Sequence, residues 1–352
     1  MDVRREVDDL LASEHPSLRW KVRTGVLGED GESRSVRRLR EEIRASQQAR
    51  GLLEGHAARR PSAYAKWYGA HWVLQSLADL GYPEGADELA PLRDQVLGTW
   101  LATRYLREYV DIGAPKDRYR AAVPVAAGRA RRCASQQGGA LLAIVRLGID
   151  DGRAARLAER LLHWQWPDGG WNCDRRPEVT ASSLHETVLP MRALAAWAAV
   201  SGDGASRRAA TSSAEVLLRR SVVFRRSDPS RLVRTSWGEL RYPAYWHHGL
   251  LSGLVALAGA GGVGDARCAP ALDLLERKRL PGGGWPAEGR WHRDPAGPVR
   301  PSGEHVGWGG ASRTRPNQWV TADALAVLSA AGRLDTMSRD ASVPPVPRAA
   351  GD

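Results

Sequence analysis

Gln165-Trp166-Pro167-Asp168-Gly169-Gly170-Trp171-Asn172-Cys173-Asp174 is the stretch that decides the fold. An amphipathic helical pattern precedes it, and Ser182-Ser183-Leu184-His185-Glu186-Thr187 opens another after it. Pro-Asp-Gly-Gly is a strong turn signal, because Pro presets the turn entry and Gly takes a positive φ without strain. With a tryptophan on either side and Gln165 in reach of backbone groups, the unit pins one helix end against the start of the next.

The unit recurs in degraded form. Leu280-Pro281-Gly282-Gly283-Gly284-Trp285 follows the helical run that ends near Lys278. Helical patterns with a polar or aromatic start and a Leu-rich continuation begin at Tyr68-Gly69-Ala70-His71-Trp72, Ser135-Gln136-Gln137, His185, Tyr245-Trp246-His247-His248 and Asn317-Gln318-Trp319. Their spacing of roughly 45–75 residues is looser than that of most helical-hairpin arrays. It favours a closed ring with decorated loops over an open solenoid.

The Gln-x-Pro-Asp-Gly-Gly-Trp unit resembles the QW repeat of the terpenoid cyclase and protein prenyltransferase superfamily, including squalene cyclases and bacterial prenyltransferase and squalene-oxidase repeat proteins. The residues that carry this are those of 164–174 and 182–186, with Tyr245-Trp246-His247, Asn317 and Trp319-Val320-Thr321. The resemblance covers residues from about 64 to 334 and implies an all-α fold, an α/α toroid (an incomplete or full α6/α6-type barrel of helical hairpins), with inner helices around a central cavity. It also implies a terpenoid cyclase- or prenyltransferase-like protein that acts on or binds an isoprenoid or similar apolar ligand in that cavity. The alternative is a non-catalytic ligand-binding protein or interaction scaffold, since fold does not fix function.

Composition agrees with a globular helical chain. The 352 residues are 43% hydrophobic and 26% charged, enough to bury a sizeable core. No run approaches the ~18–20 apolar residues of a membrane span, and the charged start is no signal peptide, so the expected compartment is cytoplasmic. Three cysteines suit a reducing environment and leave no simple disulfide framework. The net charge of +11 permits an anionic partner, but no nucleic-acid-binding motif accompanies it.

Residues 1–60 read as a helical N-terminal extension, with helices at 3–13 and 35–53. Between them, residues 18–23 alternate apolar and basic, a period that suits a short extended segment, although Pro16-Ser17 would equally start a helix. The toroid spans 61–335, with long connections at 111–132 and 286–315, and a disordered tail follows at 336–352.

Chemistry is expected at the starts of the inner helices, which converge on one mouth of the ring. Aligning the Leu patterns puts Ala70, Gln137, His185, His247 and Thr321 at one level and His71, Gly138, Glu186, His248 and Ala322 at the next. His185, Glu186, His247 and His71 are the candidate catalytic residues. Gln137, Trp72, Trp246, Arg132 and Arg175 are the candidate ligand-binding residues: tryptophan faces stabilise cations or line apolar walls, and arginines at helix starts receive anions such as a diphosphate. Trp171 and Trp285 read as structural wedges.

The resemblance further implies a zinc site. In the prenyltransferases a zinc-binding His follows a Gly-Gly turn, as His185 does here, and a Cys begins the preceding inner helix, as Cys133 does. Two residues before that Cys the family has an Asp, where this chain has Arg131. Cys173 or Asp174, with His247, would complete a tetrahedral set suited to zinc. The plain alternative is that Cys133 and Cys173 are small buried residues and the histidines bond loop carbonyls. The cyclases' Asp-x-Asp-Asp motif is absent from the toroid, and Val7-Asp8-Asp9 reads as a solvated helix face. No Gly-x-Ser-x-Gly nucleophile elbow occurs either.

Overall fold

The computed structural model describes residues 1–110, 122–291 and 306–335. The proposed tail and residues 111–121 and 292–305 of the two long connections lie outside the described residues. Six helices form the inner wall of a ring: α2 (Pro16–Gly25), α5 (Ala70–Leu80), α7 (Ala134–Arg146), α9 (Leu184–Ser201), α11 (Leu250–Gly259) and α13 (Gln318–Ala330). Each packs on the next, and α13 packs on α2, so the ring closes. Outside them lie α1 (Arg4–Leu11), α3 (Arg34–Arg44), α4 (Gln47–Arg59), α6 (Ala90–Trp100), α8 (Ala154–Trp164), α10 (Gly204–Leu218) and α12 (Ala269–Arg277). The fold is an α/α toroid. No helix among the described residues is long and apolar enough to cross a membrane.

The two layers differ in sequence for a physical reason. In the outer helix α8, Ala154, Leu157, Ala158, Leu161 and Trp164 are buried while Arg156, Glu159 and His163 face water, the single apolar stripe of a surface helix. Inner helix α9 has neighbours on several sides and buries residues all around its first three turns, from Leu184 to Leu194. α7 and α9 approach closely because Gly138 has no side chain: a Cβ there would lie 2.5 Å from the Pro190 nitrogen.

The segment 18–23 is helical, not extended. Pro16 occupies the first turn of α2, where its missing N–H costs nothing, and Leu18, Lys21 and Val22 are buried on one face at helical spacing. α2 packs between α13 and α5, so this part of the chain is the sixth wall of the ring. Three short strands, β1 (Glu108–Val110), β2 (Val123–Ala126) and β3 (Arg129–Ala130), pair in the order β1-β2-β3. They deliver the chain to the start of α7.

The opening motif is a clasp. Gln165 Nε2 donates to the Gly169 and Ala209 carbonyls (2.8 and 2.9 Å), and Trp171 Nε1 donates to the Leu161 carbonyl (2.9 Å), so the turn ties α8 to α10. Asp168 accepts from the Ser182 N–H and hydroxyl (2.8 and 2.6 Å), and the Trp171 N–H donates to Thr187 Oγ1 (3.3 Å), which adds the start of α9. The second turn repeats this with Trp285 Nε1 to the Leu275 carbonyl (2.7 Å) and the Trp285 N–H to Thr321 Oγ1 (3.0 Å). There Glu6 of α1 accepts from Arg279 Nε (2.6 Å) and the Gly284 N–H (3.1 Å). The N-terminal helix therefore does for the second clasp what α10 does for the first.

Gly169 has φ of 101°, and a Cβ on it would strike the Ser212 carbonyl of α10; Gly152 has φ of 93° with open space beside it. Gly152→Ala should cost only the backbone strain, about 1 kcal/mol. Gly169→Ala should cost clearly more, about 2–4 kcal/mol once the collision is added. Urea denaturation of the two variants checks this, and equal losses would contradict the clasp geometry.

Candidate functional site

Three elements bring acidic and thiol groups together at the starts of α7 and α9. Cys133 is the residue before α7 and Glu186 lies in the first turn of α9. Cys173 sits on the loop that leaves the first clasp. Glu186 is buried, and its Oε2 accepts the Ser135 N–H (3.0 Å), so a carboxylate of one inner helix satisfies the open N-terminus of its neighbour. Its Oε1 accepts from the Cys173 thiol (3.4 Å). The ligand atoms of Cys133, Cys173 and Glu186 all lie within 4.8 Å of one another, and both cysteines are free thiols. The Cys173 thiol is pushed well above its usual range, first by its hydrogen bond with Cys133, then by burial and by the Glu186 charge.

Donors surround this cluster. Arg132 donates to Gln136 Oε1 (2.7 Å) and lies over the Tyr105 ring at 4.3 Å. With its amide turned oxygen-first, fully buried Gln137 accepts from Arg132 Nη2 and Nε at 3.1 and 3.2 Å. Burial lowers the Arg132 guanidinium, against the opposing pull of Cys133, Tyr105 and Glu186. The Tyr64 hydroxyl, near Cys133 and Glu186, is raised by burial to about 12, so it keeps its proton and remains a donor. Arg131 is buried and donates to the carbonyls of Ala126, Asp174 and Val179 (3.0, 3.1 and 2.8 Å). It fixes the loop that carries Cys173.

The other expected residues take separate places. The Asp174 carboxylate pairs with Arg176 (2.7 Å) and is not among the clustered ligands. His185 Nδ1 accepts the His248 N–H (2.9 Å), so its ring is spent on positioning the segment before α11. His247 lies between Trp246 and Trp291, with ring centroids at 4.1 and 3.7 Å, and its Nδ1 donates to the Ala244 carbonyl (3.1 Å). His71 Nδ1 accepts from Trp100 Nε1 (3.2 Å), which puts the proton of the neutral ring on Nε2 beside Gln75 (2.6 Å). Trp72 is fully buried against Tyr64 and Trp246, whereas Trp246 is half-buried with Lys66 Nζ 4.2 Å from its ring centroid. Arg175 is half-buried on the Cys173 loop. The clasps also correct the alignment of the inner helices. Thr187 and Thr321 do the same work, so His185 corresponds to Trp319, and Glu186 to the buried Val320.

A central cavity was expected from the sequence, but the charged residues that line it were not. Gln75, Asp79, Arg146, Arg192, Tyr242 and Asp323 are among its lining residues, and its volume is about 90 Å³. A signal was present: Asp79, Arg192 and Asp323 are lone charges on otherwise apolar stretches of inner helix.

No family model and no curated protein matches the chain. Among solved structures, the unsaturated glucuronyl hydrolase of Bacillus sp. GL1, described as responsible for the degradation of glycosaminoglycan, is 13% identical. The match covers 89% of this chain and 84% of that one with a TM-score of 0.41. A UGL variant with dGlcA-Glc-Rha-Glc is 11% identical over the same shares, with a TM-score of 0.40. The likeness is one of fold alone. It corrects the resemblance drawn from the motif, since the toroids found are glucuronyl hydrolases rather than terpenoid cyclases or prenyltransferases. The isoprenoid assignment is withdrawn. The physical reason lies in the clasp, whose Gln165 and Trp171 side chains are spent on backbone carbonyls and a Ser213 hydroxyl. They specify how hairpins join and carry no chemistry.

Burial lowers His71 and His248 to about 3 and His247 to about 4. Unfolded, each would titrate near ~6.5. The unfolded chain then binds more protons than the folded one, so stability is full above about pH 6.5 and falls as the pH drops toward the folded values, by up to about 1.4 kcal/mol per pH unit for each histidine. Urea midpoints measured between pH 7 and 4.5 should decline steadily, and His71→Gln should flatten that slope. A midpoint independent of pH would contradict the buried neutral rings.

Proposed function

We propose that this protein binds one thiophilic divalent cation, zinc, at Cys133, Cys173 and Glu186, and presents it to an oxygen-bearing anionic ligand at the mouth of the toroid. The observation that supports this is the convergence of two thiols and a carboxylate, from three separate elements, within 4.8 Å. Two sulfurs and a carboxylate oxygen are a donor set suited to zinc. Three protein ligands leave a four-coordinate ion one further position. Two thiolates and a carboxylate also exceed the charge of a divalent cation by one, and the Arg132 guanidinium supplies the balance.

Bound there, zinc would supply Lewis-acid polarisation of an oxygen ligand and lower the pKa of water. The chain's own residues would do the rest. Glu186 holds the α7 N-terminus in register, Arg131 fixes the Cys173 loop, and Arg132 and the protonated Tyr64 offer hydrogen bonds to an anionic oxygen.

Protein loaded with zinc and dialysed should retain about one equivalent by elemental analysis, as expected for a single site. Cys133→Ser and Cys173→Ser should each abolish retention while the helical circular dichroism persists. Glu186→Gln should weaken binding by about tenfold or more. Wild-type protein that retains no zinc, with both thiols freely reactive toward a disulfide reagent, would overturn the proposal.

A further inference from the structure

We infer that the lumen of the ring is a binding site for a small organic oxyanion, a carboxylate or phosphate ester with a compact apolar body, seated on Arg192 and Arg146. This site is separate from the thiol cluster. Cys133 precedes α7 and Arg146 ends it, and at ~1.5 Å per residue the helix sets them about 20 Å apart.

The argument rests on which charges in the lumen are already answered. Lys21 of α2 contacts both carboxylates, Asp79 Oδ2 at 3.0 Å and Asp323 Oδ1 at 2.9 Å. The Tyr242 hydroxyl adds a hydrogen bond to Asp79 Oδ2 at 2.5 Å. Those two acids therefore have hydrogen-bond partners within the wall. Arg192 makes no direct contact with either: it has no hydrogen bond or ion pair among the described residues, its buried Nε is left without an acceptor, and Asp79 and Asp323 act on it only at longer range. Its guanidinium is lowered to about 10, first by burial and then by repulsion from Arg146, which together outweigh the attraction of Asp79 and Asp323 across the cavity. Arg146, exposed at the end of α7, likewise makes no ion pair among the described residues.

A guanidinium whose buried Nε has no acceptor is costly to the fold, and it persists beside a cavity that a ligand can enter. Gln75, Ser76 and Ser252 add neutral polar groups to the lining, while Leu142, Leu189 and Val255 give it an apolar wall. Planar guanidinium groups match the paired oxygens of a carboxylate or phosphate. A neutral isostere would leave Arg192 as it is and gain only the wall.

Full-length protein, kept metal-free with the neutral chelator 1,10-phenanthroline, tests this by calorimetry and thermal unfolding with benzoate, phenyl phosphate and benzyl alcohol. Saturable binding with a raised Tm is expected for benzoate or phenyl phosphate, whichever is tighter naming the source of the oxyanion, and not for benzyl alcohol. Arg192→Met should weaken the anion at least about tenfold while the free protein's Tm stays equal or rises, because a buried unpaired charge is removed. Should neither anion bind, or should benzyl alcohol bind as well as the anions, the inference fails. A fall in the free protein's Tm in Arg192→Met would assign Arg192 to the carboxylates of the wall and overturn it equally. Chelation leaves the zinc site out of every arm, so failure here is distinct from failure there.

Discussion

A tryptophan indole bonded to a carbonyl ten residues back is the contact on which this toroid depends. Trp171 reaches Leu161 and Trp285 reaches Leu275, in both cases across a glycine turn. The indole fills the gap between a hairpin's outer helix and the next inner helix, and its N–H satisfies one of the carbonyls that a helix end leaves open. The turn then spends its own N–H on a threonine of the following inner helix. Each clasp thereby fixes three helices at once, and the direction of the chain around the ring follows from it.

The second clasp shows what a ring needs that a solenoid does not. The first turn is covered by α10, the next outer helix in sequence, through Ala209 and Ser213. Among the described residues no outer helix follows the second, and Glu6 of α1 covers it. A neutral amide–hydroxyl contact is replaced by an ion pair between termini. That exchange lets the chain close on itself with α1 against α2 and α13.

Much of this was legible from local sequence. The turn, its tryptophans and the five inner-helix starts are encoded within a few residues each, and the α/α toroid follows from them. What failed was non-local. Residues 18–23 alternate as a strand would, and the buried lysine that makes sense of them as a helix is explained only by Asp79 and Asp323, which are far away in sequence. Cys133, Cys173 and Glu186 were each singled out, but Asp174, His185 and His247 were grouped with the cysteines because sequence distance hides where side chains point. Asp174 turns to Arg176, and His185 to the backbone before α11. Tyr64 sits in a turn outside any periodic pattern, and Arg192, a lone charge on an apolar helix, gains meaning only from what the neighbouring helices place opposite it.

Closure and the chemistry of the lumen are one problem. Burial pulls the Lys21 ammonium down, yet Asp323 and Asp79 outweigh that cost and leave it raised; the same contact holds Asp79 down at about 2 against its own burial. These three groups belong to α2, α5 and α13, the helices that meet where the ring shuts. Removing α2 would expose the lumen and also strip Asp79 and Asp323 of their ammonium, leaving them to Arg192, which already acts on both at longer range. That Arg192 makes no direct contact with either carboxylate is therefore a consequence of closure by the N-terminal helices, not a property of α9 alone.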